Sequence, residues 1–301
     1  MATATSSLDT TAAAAPVSAA PTEKKPRKVP PFLLYAAVLW LAVVVFLAVF
    51  AHWLPFVKHD PINDRSAAIS RMKPFNSKAW LGGDQNGRDI FSYCVYGARA
   101  SLIIGVATSF FGIVIGGALG LMAGYLKGKW DTIISGFADV LLAFPALILL
   151  IGITSFWGRD VYKIIVGLTL LSIAPLARLV RANTLVYAER EFVQAAKALG
   201  AKRGRILFRE ILPNVLPVML SFSFLAIALI IVVEGTLSFL GVGLKASIPS
   251  WGTLITQGRT DLRRYPHIVL VPSLILVTTV LSLNVIGERL RSKFDVRDAA
   301  V

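Results

Sequence analysis

Few side chains in this sequence have the type and spacing to do chemistry. Cys94 is the only cysteine, which rules out an internal disulfide and a thiolate metal site. His52, His59 and His267 stand apart, with no carboxylates at ligand spacing, so a zinc enzyme is not expected. A phosphate loop needs Gly, four residues, then Gly-Lys and Ser or Thr. The nearest approach, Gly124-Tyr125-Leu126-Lys127-Gly128-Lys129-Trp130, has the wrong spacing and a Trp where the metal-binding hydroxyl belongs. No metal or nucleotide is expected on this chain.

What remains is a set of polar residues in apolar surroundings. An Asp at the centre of a bilayer-spanning helix costs about 2.5–3.5 kcal/mol on insertion scales, so Asp139 and Glu234 should face a bundle interior. Asp139 is expected to form a structural ion pair with Arg178 or Arg181. Glu234, beside Gly235, could line a pathway and meet a cationic solute; a hydrogen-bonded structural acid is the other reading. Asn284 is a third polar candidate. Asp84, Arg88, Asp89 and Arg99 suggest an ion-paired outer gate or docking surface, against the alternative of a solvated loop.

These residues need a membrane to position them. Of 301 residues, 55% are hydrophobic and 16% charged, with mean hydropathy +0.69 and formal net charge +14. Such a charge suits nucleic acid or the cytoplasmic loops of a membrane protein, and the apolar runs decide for the membrane. Six stretches approach the roughly 20 apolar residues that cross a bilayer. They are Pro31–Val57, Ala100–Leu126, Thr132–Gly158, the short Ile164–Ala177, Asn214–Leu240 and Tyr265–Gly287. The fourth should continue as a helix beyond Arg178 and Arg181. Residues 1–30, rich in Ala, Thr, Ser and Pro and ending in Lys24, Lys25, Arg27 and Lys28, read as a disordered basic tail. The expected order is tail 1–30, first span 31–57, outer loop 58–99, five-helix core 100–288 and tail 289–301. Lys and Arg are richer in the segments that an inside N-terminus places in the cytoplasm, so both termini are expected there.

Gly112, Gly116, Gly120, Gly124 and Gly128 recur every fourth residue, with Thr108 extending the series. Each glycine costs about 1 kcal/mol relative to alanine in a helix. Close approach of a neighbouring helix is the expected return. Pro145, Pro175, Pro217 and Pro272 should kink four spans, either as hinges or as fixed bends.

The segment between the fourth and fifth spans reads as two short helices around a turn. Phe192, Ala195, Ala196 and Leu199 recur at helical spacing, and Gly200 stands where a helix end favours positive φ. Ile206, Leu207, Ile211 and Leu212 give a second apolar strip. Lys197, Lys202, Arg203, Arg205 and Arg209 could rest on headgroups or face an acidic partner.

This segment, 189–213, resembles the cytoplasmic EAA loop of permeases from ATP-binding-cassette importers. Gln194-Ala195-Ala196, Gly200 and Leu212-Pro213 match; Gln194 replaces the glutamate, with Glu191 one turn away, and Glu210 departs from the ending. From about Trp80 to Asp298 the chain is similar to dipeptide, oligopeptide and nickel permeases of the C type. The matching runs are Leu81–Asp89, Tyr96–Arg99 with Ser101-Leu102, Ala143–Ala146, Leu237–Gly243, Pro249–Gly252 and Asn284–Arg291.

The resemblance implies an all-α, six-helix type I importer permease of the bacterial inner membrane, not itself an enzyme. It implies pairing with a second, different permease and two cytoplasmic ATPase subunits, which would hold ATP and Mg. An extracytoplasmic binding protein would deliver short peptides, or nickel in the variant reading. Glu191, Gln194, Ala195, Ala196, Leu199 and Gly200 would couple to the ATPase. A self-contained secondary transporter should show inverted repeats or a row of ionisable groups, and the sequence offers only two isolated acids.

Overall fold

A computed structural model describes residues 30–57 and 79–298, with side chains through Phe294. The basic tail before Pro30, residues 58–78 of the outer loop and the last three residues lie outside the described residues. The order is α1 (Pro31–Phe50), α2 (Ile90–Leu126), α3 (Gly128–Ala143), α4 (Ala146–Trp157), α5 (Val161–Ala188) and α6 (Glu191–Ala198). Then come α7 (Arg203–Arg205), a π-helical stretch (Ile206–Ile211), α8 (Leu212–Phe239), α9 (Trp251–Gly258) and α10 (His267–Asp298). From Arg203 to Phe239 the chain is one continuous rod.

Among the described residues five helices are long and apolar enough to cross a bilayer, and α3 with α4 makes a sixth span if the pair is counted as one. The third span is therefore not the single helix expected over Thr132–Gly158: α3 and α4 meet at 83°. Pro145 disfavours helical geometry at the residue before it, and Phe144 is extended at φ −81°, ψ 130°. The second span begins earlier than expected. Asp89 caps α2 by accepting from the Ser92 amide at 3.0 Å, so Arg99 lies inside the helix. At 37 residues α2 is about 55 Å long, well beyond a hydrocarbon core of about 30 Å. Lys127 and Gly128, at φ +54° and +58°, break the chain between α2 and α3. At the other end α10 runs on as helix to Asp298, past the expected limit at Gly287.

The glycine ridge sets the centre of the bundle. Gly112, Gly116, Gly120 and Gly124 face α5 in parallel register, from Ser172 opposite Gly112 to Thr184 opposite Gly124. Gly128 does not belong to that face; it lies at the break, with nothing near it. Thr108 is fully buried on α2. α8 runs antiparallel to α2, with Ile231 against Gly105 and Met219 against Gly117. α10 lies along α8, and α1 lies along α10, where the Trp40 indole donates to Thr279 at 3.1 Å. The molecule thus has an α6 end, where α2, α5 and α8 meet the loop, and an α9 end opposite.

Candidate functional site

At the α6 end, α6 leaves α5 through a short turn and stops at Gly200. Gly200 adopts φ +75°; its amide donates to Lys197, and that of Ala201 donates to Ala196, both at 3.0 Å. These two bonds are the Schellman closure that a left-handed residue permits. The packed face of α6 is the one that carries Val193. Val193 is fully buried against Ile206, Leu207, Ile211 and Val215, with Ala196 and Ala201 partly buried beside it. Phe192, Ala195 and Leu199 point outward, and Leu199 is 88% exposed. In the second strip Ile206, Leu207 and Ile211 are buried and Leu212 is partly buried. The loop is thus anchored to α8 on one face and presents apolar side chains on the other. Glu191 is exposed, and Gln194 lines a recess of about 420 Å³ with Tyr125, Lys127, Glu189, Lys197 and Arg203.

Two ion pairs join α3 to α5. Arg178 donates to Asp139, both about half exposed. Arg181 pairs instead with Asp131, through Nε at 2.6 Å and a second guanidinium nitrogen at 2.7 Å. Asp131 went unnoticed in the sequence because it stands at the edge of the apolar run, where a charge attracts no attention.

Glu234 is fully buried and closed off by hydroxyls. Its Oε1 accepts from Ser238 at 2.9 Å and Ser250 at 2.8 Å, and its Oε2 from Ser101 at 3.3 Å. Asn284 donates to the Val280 carbonyl of its own helix at 3.0 Å, so its donor serves α10 itself.

Among the described residues Asp84, Arg88, Asp89 and Arg99 form no ion pair, and each has a local partner instead. Asp84 Oδ1 accepts from the amides of Asn86 and Arg88, both at 2.8 Å, and Asp89 caps α2. Arg88 donates to the Tyr93 hydroxyl at 3.3 Å and to Gln257 at 3.4 Å. Arg99 donates to the carbonyls of Ala48 and Val49 at the end of α1 and lies over the Tyr96 ring. Burial pushes the Asp84 carboxyl above the ordinary carboxylate value, although the Arg88 and Asn86 amides pull the other way. Among the described residues no group of three or more His, Cys, Asp or Glu is placed to hold a metal ion.

Residues 116–297 match the family described as binding-protein-dependent transport system inner membrane component. The chain belongs to that family. It is 36% identical over 266 residues to the glutathione transport system permease protein GsiD of Pectobacterium atrosepticum, covering 86% of this chain and 85% of the relative. The counterpart of Escherichia coli O6:K15:H31 is 36% identical over 265 residues, covering 86% and 84%. Among solved structures, the inward-facing MetNI methionine transporter aligns with TM-score 0.57 at 20% identity, covering 66% of this chain and 95% of that one. An amino acid ABC transporter with histidines gives TM-score 0.50 at 15% identity, covering 70% and 95%. The permease is thus a multi-pass inner-membrane component of an ATP-binding-cassette importer, with the all-α type I fold.

Some of the family runs converge in space. Leu237–Gly243 and Pro249–Gly252 meet Ser101 around Glu234, and Leu81–Asp89 packs beside Gln257 of α9. Ser101, Ser238 and Ser250 were not singled out as partners of Glu234. The one available signal was Ser250 followed three residues later by Thr253, which closes a capping box at the start of α9.

Proposed function

We propose that this permease moves short peptides inward, driven by ATP hydrolysed on separate subunits. The carrying observation is the α6 loop: Val193, Ile206 and Ile211 bind it to the membrane rod, while Phe192, Ala195 and Leu199 are left for a partner. The partner is a pair of cytoplasmic ATPase subunits, which hold ATP and Mg; the chain itself is not an enzyme. In this reading the N-terminus and the α6 end are cytoplasmic and the α9 end faces an extracytoplasmic binding protein. A second, different permease completes the pathway. The substrate class follows the glutathione permeases named above, since glutathione is a short peptide. Nickel is the other solute to be tested, as the second solute of the C-type permeases.

Closure of the ATPase pair would pull α6, and α8 with it, toward the outward-open state, and hydrolysis would reset the inward-facing one. Coupling requires substrate and nucleotide to favour different states. The test is ATP-driven uptake by the reconstituted assembly, with glutathione, dipeptides, longer peptides and nickel offered in turn. Uptake of a peptide that needs both ATP and the binding protein is the expected result. Accumulation by the chain alone on an ion gradient would refute the proposal.

A further inference from the structure

Glu234 is the most enclosed charged group in the described chain, and its surroundings have a definite polarity. The Ser250 hydroxyl accepts from the Thr253 amide at 3.1 Å, so its proton is free to go to Glu234 Oε1. The Ser101 hydroxyl accepts from the Trp251 amide at 3.3 Å, so its proton goes to Glu234 Oε2. Trp251 and Thr253 are the first and third residues of α9. The carboxylate is therefore the final acceptor for first-turn amides of α9, reached through one serine of α2 and one at the helix cap. A negative charge is favoured at that end of a helix.

The junction is close-packed as well as hydrogen-bonded. A Cβ on Gly252 would lie 2.7 Å from the Gly235 Cα, and one on Gly97 would lie 3.2 Å from the Ser250 carbonyl carbon. The Trp251 ring is fully buried, and its N–H donates to the Cys94 carbonyl at 3.2 Å. The other end of α9 carries the outer turn, since Gln85 donates to the Gln257 carbonyl at 3.0 Å. From Glu234 the rod leads without interruption through α8 and the π-helical stretch to the residues that bury Val193 of α6. These contacts leave Glu234 no open face toward a solute.

We infer that Glu234 is a positioning residue, a clamp that holds α9 on α2 and α8 throughout the transport cycle so that the outer surface and the α6 loop move as one body. This deepens the importer reading and rests on it. A clamp needs the acceptor atoms; a pathway carboxylate needs the charge. Glu234→Gln keeps an acceptor oxygen, whereas Glu234→Leu takes away the acceptor to which the Ser101 and Ser250 hydroxyls give their protons.

The test uses the full importer in proteoliposomes, measuring assembly, basal ATPase, ATPase stimulated by loaded binding protein, and uptake. Wild type must first show ATP-driven uptake; failure there falls on the importer reading and not on the clamp. Glu234→Leu is expected to lose stimulation and uptake by about tenfold or more, while basal ATPase stays within about twofold; a tenfold loss corresponds to about 1.4 kcal/mol. Glu234→Gln should retain uptake within about threefold. Normal uptake in Glu234→Leu overturns the clamp, as does equal loss in both variants, which would return Glu234 to the pathway. A second arm does not depend on Glu234→Leu folding. In a C94A background, S101C and S250C are joined by a cleavable bifunctional thiol reagent. Uptake that survives the link supports a junction closed through the cycle; uptake lost and restored on cleavage overturns it.

Discussion

Gly120 of α2 lies over the carbonyl oxygen of Ala177 in α5: a Cβ there would fall 2.5 Å from that oxygen and 2.8 Å from the Val180 Cβ. Both neighbours belong to a helix, so neither can step aside without moving α5. Gly120→Ala should therefore destabilise the bundle by about 1–3 kcal/mol, the usual cost of overpacking. Gly136→Ala, in α3 with nothing within 4 Å, is the control and should be neutral or stabilising by up to about 1 kcal/mol. Thermal unfolding of the purified protein in detergent separates the two. Equal melting temperatures for Gly120→Ala and wild type would mean that α2 and α5 do not meet there.

This contact also shows how far the sequence could be read. The four-residue glycine spacing announced a close helix neighbour because only backbone approach offsets so many glycines, and α5 is that neighbour. It could not name α5, since period fixes a face and not its partner. The α6 loop was legible in outline for the same reason: Gly200 marked the end of α6 through its backbone preference. Which face packs inward was not legible, because Phe192, Ala195 and Leu199 satisfy the helical period as well as Val193 and Ala196 do. Glu234 was visible as an anomaly, but its serine partners come from α2, α8 and the α9 cap, a convergence that no local pattern encodes. The break at Phe144 was signalled by Pro145, though a proline does not reveal whether a span bends gently or by 83°.

The two α3–α5 ion pairs should differ in worth. Arg181 grips both oxygens of Asp131, and the two side chains are only about a third and a quarter exposed. The Arg178–Asp139 pair is more than half exposed on both sides. A double-mutant cycle on Asp131→Asn and Arg181→Met should give a coupling of about 1–2 kcal/mol, because geometry is bidentate and water partly excluded. The same cycle at Asp139 and Arg178 should give about 1 kcal/mol or less. Chemical unfolding in detergent measures both, and a larger coupling at Asp139 would reverse the assignment.

Acid should favour the turn at Asp84. Its carboxyl is raised from the ordinary value of 3.8, chiefly by burial, so the folded state binds its proton more tightly than the unfolded state does. The favourable contribution is then complete below the unfolded value and is lost as pH rises through the folded one, leaving a burial penalty at neutral pH. Asp84→Asn keeps the oxygen that accepts from the Asn86 and Arg88 amides and removes the charge. It should raise the melting temperature at pH 7, with the gain shrinking as pH falls toward 4. Melting curves across that range decide it, and a variant that is less stable than wild type at pH 7 would show the charge to be an asset.

The outward face of α6 offers the cleanest separation of stability from partnership. Leu199 is 88% exposed and is not a member of the cluster that buries Val193, so Leu199→Arg should leave the fold within about 0.5 kcal/mol of wild type. If that face seats in an ATPase subunit, the same change should abolish co-purification of the ATPase, while Val193→Ala should instead loosen the loop and lower stability by about 1–3 kcal/mol. Gly200→Leu adds a third position: nothing lies within 4 Å of Gly200, so its cost is the strain of a side chain at φ +75°, about 1–2 kcal/mol, borne at the turn that orients α6. It is expected to keep the subunits together but let ATP hydrolysis run without uptake. Full coupling in Gly200→Leu, together with normal ATPase capture by Leu199→Arg, would remove α6 as the point where force enters the membrane.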